Sequence, residues 1–259
     1  MSIDAFFDAY TLQFLLLASL FAMLGGFVKG AVGFALPLIA VSGISSIASP
    51  QEAVAAIIIP TFVSNIYQAS RQGLGPALAT AKQLWKFNLV LVLVIAVVTQ
   101  LVPRMPNTLM FIILGTLITL AALIQLLGLK LPPPKTRTGK AGLEIGAGLV
   151  AGGMGGLGGF WGPPTVMYLI AIEVEKHAFI RAQGLIYMVG SVMLVGGHLT
   201  SGVLNFNTIP LSFFMLLPVA IGMGLGVYVH DKLDQKVFKK LVLIVLCAVG
   251  LNLLRRGLF

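Results

Sequence analysis

The sequence predicts an all-α polytopic membrane protein made of two inverted-topology repeats. Each repeat holds about five hydrophobic segments, short or broken helices among them, or roughly 8–10 membrane segments in total. Three observations lead there. The chain is 58% hydrophobic and 10% charged, with a mean hydropathy of +1.01, whereas a soluble domain carries about 25% charged residues. Residues 11–28, 87–102, 105–129 and 182–229 contain no Asp, Glu, Lys or Arg at all. A glycine-rich apolar stretch also occurs twice, 126 residues apart: Gly26, Gly30, Gly33, Phe34 and Pro37 match Gly152, Gly156, Gly159, Phe160 and Pro163 without a gap.

The first half reads as segments at 11–29, 34–47, 53–70, 83–102 and 107–128. The second reads as 141–157, 160–172, 179–199, 209–229 and 237–254, and the 126-residue offset carries each segment onto its counterpart. The start, Met1 to Tyr10, holds Asp4 and Asp8 but no Lys or Arg. A signal peptide needs a basic region before its apolar core, so 11–28 is expected to be a retained span. Segments 34–47 and 160–172 are short for full spans and fit half-helices or hairpin arms. The expected units are 1–129, a Pro-rich basic linker at 130–140, and 141–259. Pro132-Pro133-Pro134 in that linker cannot continue a helix. The continuous apolar runs do not suit a porin-like barrel, which alternates over ~10-residue segments.

Charge sets the expected topology. Loops 71–86, 129–140, 173–181 and 230–240 hold 13 of the 17 Lys and Arg residues. The positive-inside bias puts these loops in the cytoplasm and both termini on the other side of the inner membrane. Arg255 and Arg256 are the discordant pair. The net charge of +9 then reflects topology and anionic lipid rather than nucleic acid. Cys247, the single cysteine, excludes an internal disulfide and a multi-cysteine metal site.

The duplicated motifs carry the expected chemistry. Glycine takes φ > 0 and allows close approach, and Pro37 and Pro163 disrupt the helix ladder. A broken helix at membrane depth must face protein or a hydrated cavity. Its freed N–H groups form an anion site without any side chain. The competing reading is small-xxx-small helix packing, which suits single glycines such as Gly26 and Gly30. Ten of the 21 residues from 142 to 162 are glycine, a density that packing alone does not need.

The glycine-rich run ending in proline, once per half of an apolar chain, resembles the sulfite exporter TauE/SafE family of membrane anion transporters. The second motif, Gly148 to Pro163, carries the closer likeness. The resemblance implies transport of small sulfur-containing anions or organic acids, with sulfite and organosulfonates such as sulfoacetate as the best-known classes.

Candidate substrate-binding residues follow from the motifs and their surroundings. Gly33, Phe34, Pro37, Gly156, Gly159, Phe160 and Pro163 frame the proposed site. Lys29 would balance an anion or snorkel to the interface. Arg181 would clamp a sulfonate with its planar fork or serve as a topology charge, with Gln183 beside it. Asn65 and Gln68 share a helix face and offer amide donors, or bond between helices. Trp161 caps the substrate or packs. His198, aligned with Gln72, is a candidate for proton coupling or a structural residue. Trp85, beside Lys82 and Lys86, reads as an interface anchor.

All eight carboxylates fall at segment ends or in loops, Glu144 near the start of a span. A cation carrier normally needs a carboxylate at membrane depth. The expectation is therefore an anion secondary transporter with no cofactor, possible proton or ion coupling, and export as the default direction. The alternatives are a carrier of cations or neutral solutes and a non-transporting scaffold. An enzyme would need a nucleophile–base pair or metal ligands, and no such spacing is present.

Overall fold

The computed structural model describes residues 3–70, 80, 82–129, 131–232 and 234–259. Twelve helices order these residues. They are α1 (Ile3–Ala9), α2 (Leu12–Val32), α3 (Leu36–Ile44), α4 (Pro50–Ser70), α5 (Trp85–Leu101), α6 (Asn107–Leu126), α7 (Arg137–Gly158), α8 (Gly162–Ala171), α9 (Lys176–Ser201), α10 (Ile209–Phe214), α11 (Leu216–Val229) and α12 (Gln235–Leu258). All ten expected segments are helical. Segment 209–229 is divided at Met215, because Pro218 has no N–H to offer the Phe214 carbonyl.

Among the described residues, seven helical stretches are long and apolar enough to cross a membrane: Leu12–Val32, Pro50–Ser70, Trp85–Arg104, Asn107–Leu126, Ala178–Ser201, Ile209–Val229 and Lys240–Leu258. Helix α7 has 22 residues, also a spanning length at ~1.5 Å per residue; its many glycines lower its hydropathy. Helices α3 and α8, with 9 and 10 residues, reach only about 13–15 Å. Neither can cross a hydrocarbon core of ~30 Å.

The two halves start alike. The Thr11 hydroxyl accepts from the Phe14 N–H to cap α2, and Thr136 accepts from the Gly139 N–H to cap α7. Each long helix ends on a left-handed glycine, Gly33 at φ 85° and Gly159 at φ 83°. Glycine adopts this conformation without the Cβ penalty.

Packing follows the glycines. Helix α2 lies against α11, where a Cβ on Gly222 or Gly226 would collide with the carbonyls of Met23 or Phe27, and one on Gly26 or Gly30 with those of Val219 or Met223. Helix α7 lies against α5 through Gly148, Gly152 and Gly156, which face Val90, Val94 and Val98. These pairs exchange when the halves are interchanged, and α4 against α9 and α6 against α12 map onto themselves. This arrangement is compatible with two inverted repeats. Arg256 donates to the Ser45 carbonyl and lies 4.4 Å from the Phe111 ring centroid, so this charge ties α12 to the end of α3.

Helix α4 continues through Pro60 because α10 completes its ladder. Pro60 leaves the Ala56 carbonyl without its usual donor. The Ser212 hydroxyl donates to that carbonyl at 3.2 Å and accepts from the Ile59 N–H at 3.1 Å.

Candidate functional site

The two broken helices meet. The chain leaves α2 at Gly33, passes through Phe34 and Ala35, and starts α3 with Pro37 in its first turn. It leaves α7 at Gly159, passes through Phe160 and Trp161, and starts α8 at Gly162 with Pro163 and Pro164 following. A Cβ on Gly159 would stand 3.3 Å from Pro37, and one on Gly162 would stand 3.6 Å from Phe34. The breaks are therefore in van der Waals contact across the molecule.

A narrow cavity of about 10 Å³ lies at this crossing, close to the room one water needs. Phe34 and Phe160, Ala35 and Trp161, and Thr61 and Tyr187 line it as three pairs, each pair 126 positions apart. Pro37, Gly159, Lys29 and Asn65 complete much of the wall.

Lys29 supplies the charge. It is 4% exposed, although α2 is a membrane-length helix. Its ammonium donates to Asn65 Oδ1, and Asn65 Nδ2 donates to the Tyr187 carbonyl at 3.1 Å. Nζ also stands 5.9 Å from the Tyr187 ring centroid, within cation–π range. Gln183 Nε2 donates to Tyr187 Oη at 2.9 Å. Each of these partners is neutral.

A second hollow, about 600 Å³, opens on the other side of Lys29. Gly33, Gln68, Gln183 and His230 line this vestibule. Gln68 and Gln183 converge over Gly33, within 3.8 Å of a Cβ placed there, and the buried Gln68 Oε1 has no hydrogen-bond partner among the described residues. His230 Nδ1 lies 2.6 Å from the Ala31 carbonyl, beyond the same helix end. Among the described residues, no Asp or Glu lines the narrow cavity or the vestibule.

The structure thus brings Lys29, Gly33, Phe34, Pro37, Asn65, Gln68, Gly159, Phe160, Trp161 and Gln183 to two adjoining hollows. Three sequence-derived candidates stand elsewhere. Gly156 packs on Val98. Pro163 is buried in the first turn of α8 without lining either hollow. Arg181 Nε donates to Thr80 Oγ1 at 3.0 Å, which holds the guanidinium away from both. Glu144 is buried on α7 and accepts from Tyr168 Oη at 3.2 Å, and it too lines neither hollow. His198 is fully buried beside the Gly156 backbone and lines neither hollow. Its sequence counterpart Gln72 lies outside the described residues. Sequence reasoning passed over Thr61 and Tyr187. Their equivalence under the 126-residue offset is the signal that could have found them.

The site's amide donors are fewer than the motifs suggest. The first N–H groups of a helix have no intrahelical acceptor, but Pro37, Pro163 and Pro164 have no N–H at all. Leu36, Leu38 and Gly162 retain theirs. Among the described residues, Lys29 is the one Lys or Arg that lines either hollow.

Spanning helices and two non-crossing half-helices that meet at their starts define a polytopic helical membrane protein built around broken helices. A model of the sulfite exporter TauE/SafE family matches residues 18–253, and the chain belongs to that family of membrane anion transporters. No curated protein and no solved structure matches the chain.

Proposed function

We propose that the chain is a secondary transporter of a small sulfur-containing or organic anion, such as sulfite or a short organosulfonate, across the inner membrane. One observation carries this reading: the Lys29 ammonium is buried at the crossing of two broken helices with neutral partners only. Burying an unpaired charge costs several kcal/mol, and a bound anion offsets that cost. The Leu36, Leu38 and Gly162 amides and the Asn65, Gln68 and Gln183 amide groups suit the oxygens of a sulfite or sulfonate group.

Alternating access follows from the duplicated halves. The offset of 126 residues pairs α5 with α10–α11 and α9 with α4. Helices α5 and α9 are zipped together, with Gln100 Nε2 donating to the Gly197 carbonyl at 3.1 Å and to Thr200 Oγ1 at 2.9 Å. Helices α4 and α11 instead diverge around a cleft. With the basic loops cytoplasmic, the site communicates with the inside and is shut from the outside. Exchanging the zipped and open pairs would carry the anion across. An inside-negative potential favours anion exit by ~2.3 kcal/mol per charge per 100 mV, so export is the expected direction.

The test is uptake of radiolabelled sulfite by proteoliposomes, with sulfoacetate and a monovalent cation compared in parallel. Anion uptake without cation uptake is expected, and cation uptake alone would refute the reading. Asn65→Asp would place a permanent carboxylate against Lys29 and fill the anion's electrostatic role. It should reduce sulfite uptake by at least about tenfold, as expected from losing a charge-assisted contact of ~1.5–3 kcal/mol.

A further inference from the structure

The vestibule adjoins a second space on the bilayer side. An apolar cleft of about 400 Å³ runs between α4 and α11, lined by Pro60, Val63, Ala220 and Gly224 among others. Tyr67, Met223 and Val227 line both this cleft and the Lys29 vestibule, so the two spaces adjoin through shared walls. Val63 is 44% exposed and Tyr67 49% exposed, which places the mouth of the cleft on the lipid-facing surface. The equivalent pair on the other side, α5 and α9, has its helices in contact where Gly197 meets Thr99. The space is therefore particular to one side of the site. A sulfite ion has nothing to place in it.

Resting on the anion reading above, we infer that the transporter accepts amphiphilic anions, with the sulfonate or carboxylate head beside Lys29 and an aliphatic arm in the α4–α11 cleft. The head meets amide groups and the ammonium, and the arm meets Pro60, Val63, Val219 and Val227. Tyr67 stands where head and arm join, with an apolar ring and a polar tip suited to that boundary. A straight-chain alkanesulfonate has this shape and charge. Each methylene entering the cleft should strengthen binding about fourfold, the equivalent of ~0.8 kcal/mol per buried CH2.

Gly224 provides the control. A Cβ there meets nothing within 4 Å, so Gly224→Leu fills the cleft without touching the anion's polar partners. Ala220→Leu is a second variant on the same wall. The experiment is calorimetric titration of the full chain in lipid nanodiscs with methane-, butane-, hexane- and octanesulfonate. Wild-type affinity should rise about fourfold per methylene. Both variants should flatten that rise and keep the methanesulfonate affinity of wild type. Equal slopes in all three proteins would overturn the inference, because the arm would then lie in lipid or against a second copy of the chain. Methanesulfonate binding with no chain-length dependence would also overturn it, while leaving the anion site intact. Failure of every sulfonate to bind wild type while sulfite binds in the same titration would overturn the inference alone, and failure of sulfite as well would overturn both readings.

Discussion

Replacing Lys29 with methionine should abolish anion transport and leave the fold standing. Methionine fills a similar unbranched volume, so the buried stem of residue 29 keeps its contacts. The ammonium is lost, and with it the positive charge at the crossing. A hydrogen bond to a charged group is worth about 1.5–3 kcal/mol, which predicts at least a 10- to 100-fold loss of sulfite affinity. Stability should respond differently. Exchanging a buried unpaired charge for an apolar group is often neutral or stabilising. The opposing cost is Asn65 Oδ1, which loses its donor; an orphaned buried acceptor costs about 1–3 kcal/mol. The double variant Lys29→Met/Asn65→Leu removes that orphan and should melt no lower than wild type. Thermal melts with and without sulfite check both halves: the variants should lose the sulfite-induced rise while remaining cooperatively folded. A Lys29→Met protein transporting sulfite at the wild-type rate would contradict the assignment.

Gly222→Leu should prevent correct assembly, whereas the same change two residues on should be tolerated. A Cβ at Gly222 would fall on the Met23 carbonyl of α2, and backbone has no rotamer with which to give way. Overpacking a well-fitted contact costs about 1–3 kcal/mol. Four side-chain atoms pressed into a backbone-to-backbone seam should reach or exceed the upper end of that range. The seam matters for function because α2 carries Lys29 and ends at the first break. Parting α2 from α11 would displace both. Gly224 faces the open cleft instead. Monodispersity after detergent extraction should separate the two variants, with Gly222→Leu aggregated and Gly224→Leu eluting like wild type. Equal behaviour would mean that the α2–α11 glycine seam is not a strong constraint.

Much of this arrangement was legible in the sequence, for identifiable reasons. Segments such as 107–128 appear as helices because long apolar runs leave few alternatives in lipid. The breaks were legible because left-handed glycine and first-turn proline both leave a local signature: Gly33 with Pro37, and Gly159 with Pro163. The roles of the remaining glycines were not. Gly156 and Gly159 are three residues apart in one motif, yet one packs on Val98 and the other turns the chain. Only φ and the facing helix distinguish them. The burial of Lys29 was equally hidden, because its partner Asn65 is 36 residues away and Tyr187 lies in the other half. Arg181 shows the reverse case. Its helix and register were readable, but its partner Thr80 lies 101 residues away in the sequence. The short helix α1 also went unrecognised, since seven residues are too few for a clear periodicity. Its Phe6 contacts Tyr10 and Phe214, with ring centroids 5.3 and 5.7 Å apart.

The central claim is that an anion lies beside the Lys29 ammonium, on the vestibule side of the crossing where α3 and α8 start. Selenite is a heavier analogue of sulfite, and selenium scatters anomalously. Crystals of the ordinary-methionine protein soaked in selenite should give an anomalous peak within hydrogen-bonding distance of Lys29 Nζ, in the vestibule with Gln68 and Gln183, that is absent from Lys29→Met crystals. A selenium peak confined to the surface loops, or one at the crossing that persists without Lys29, would contradict the account.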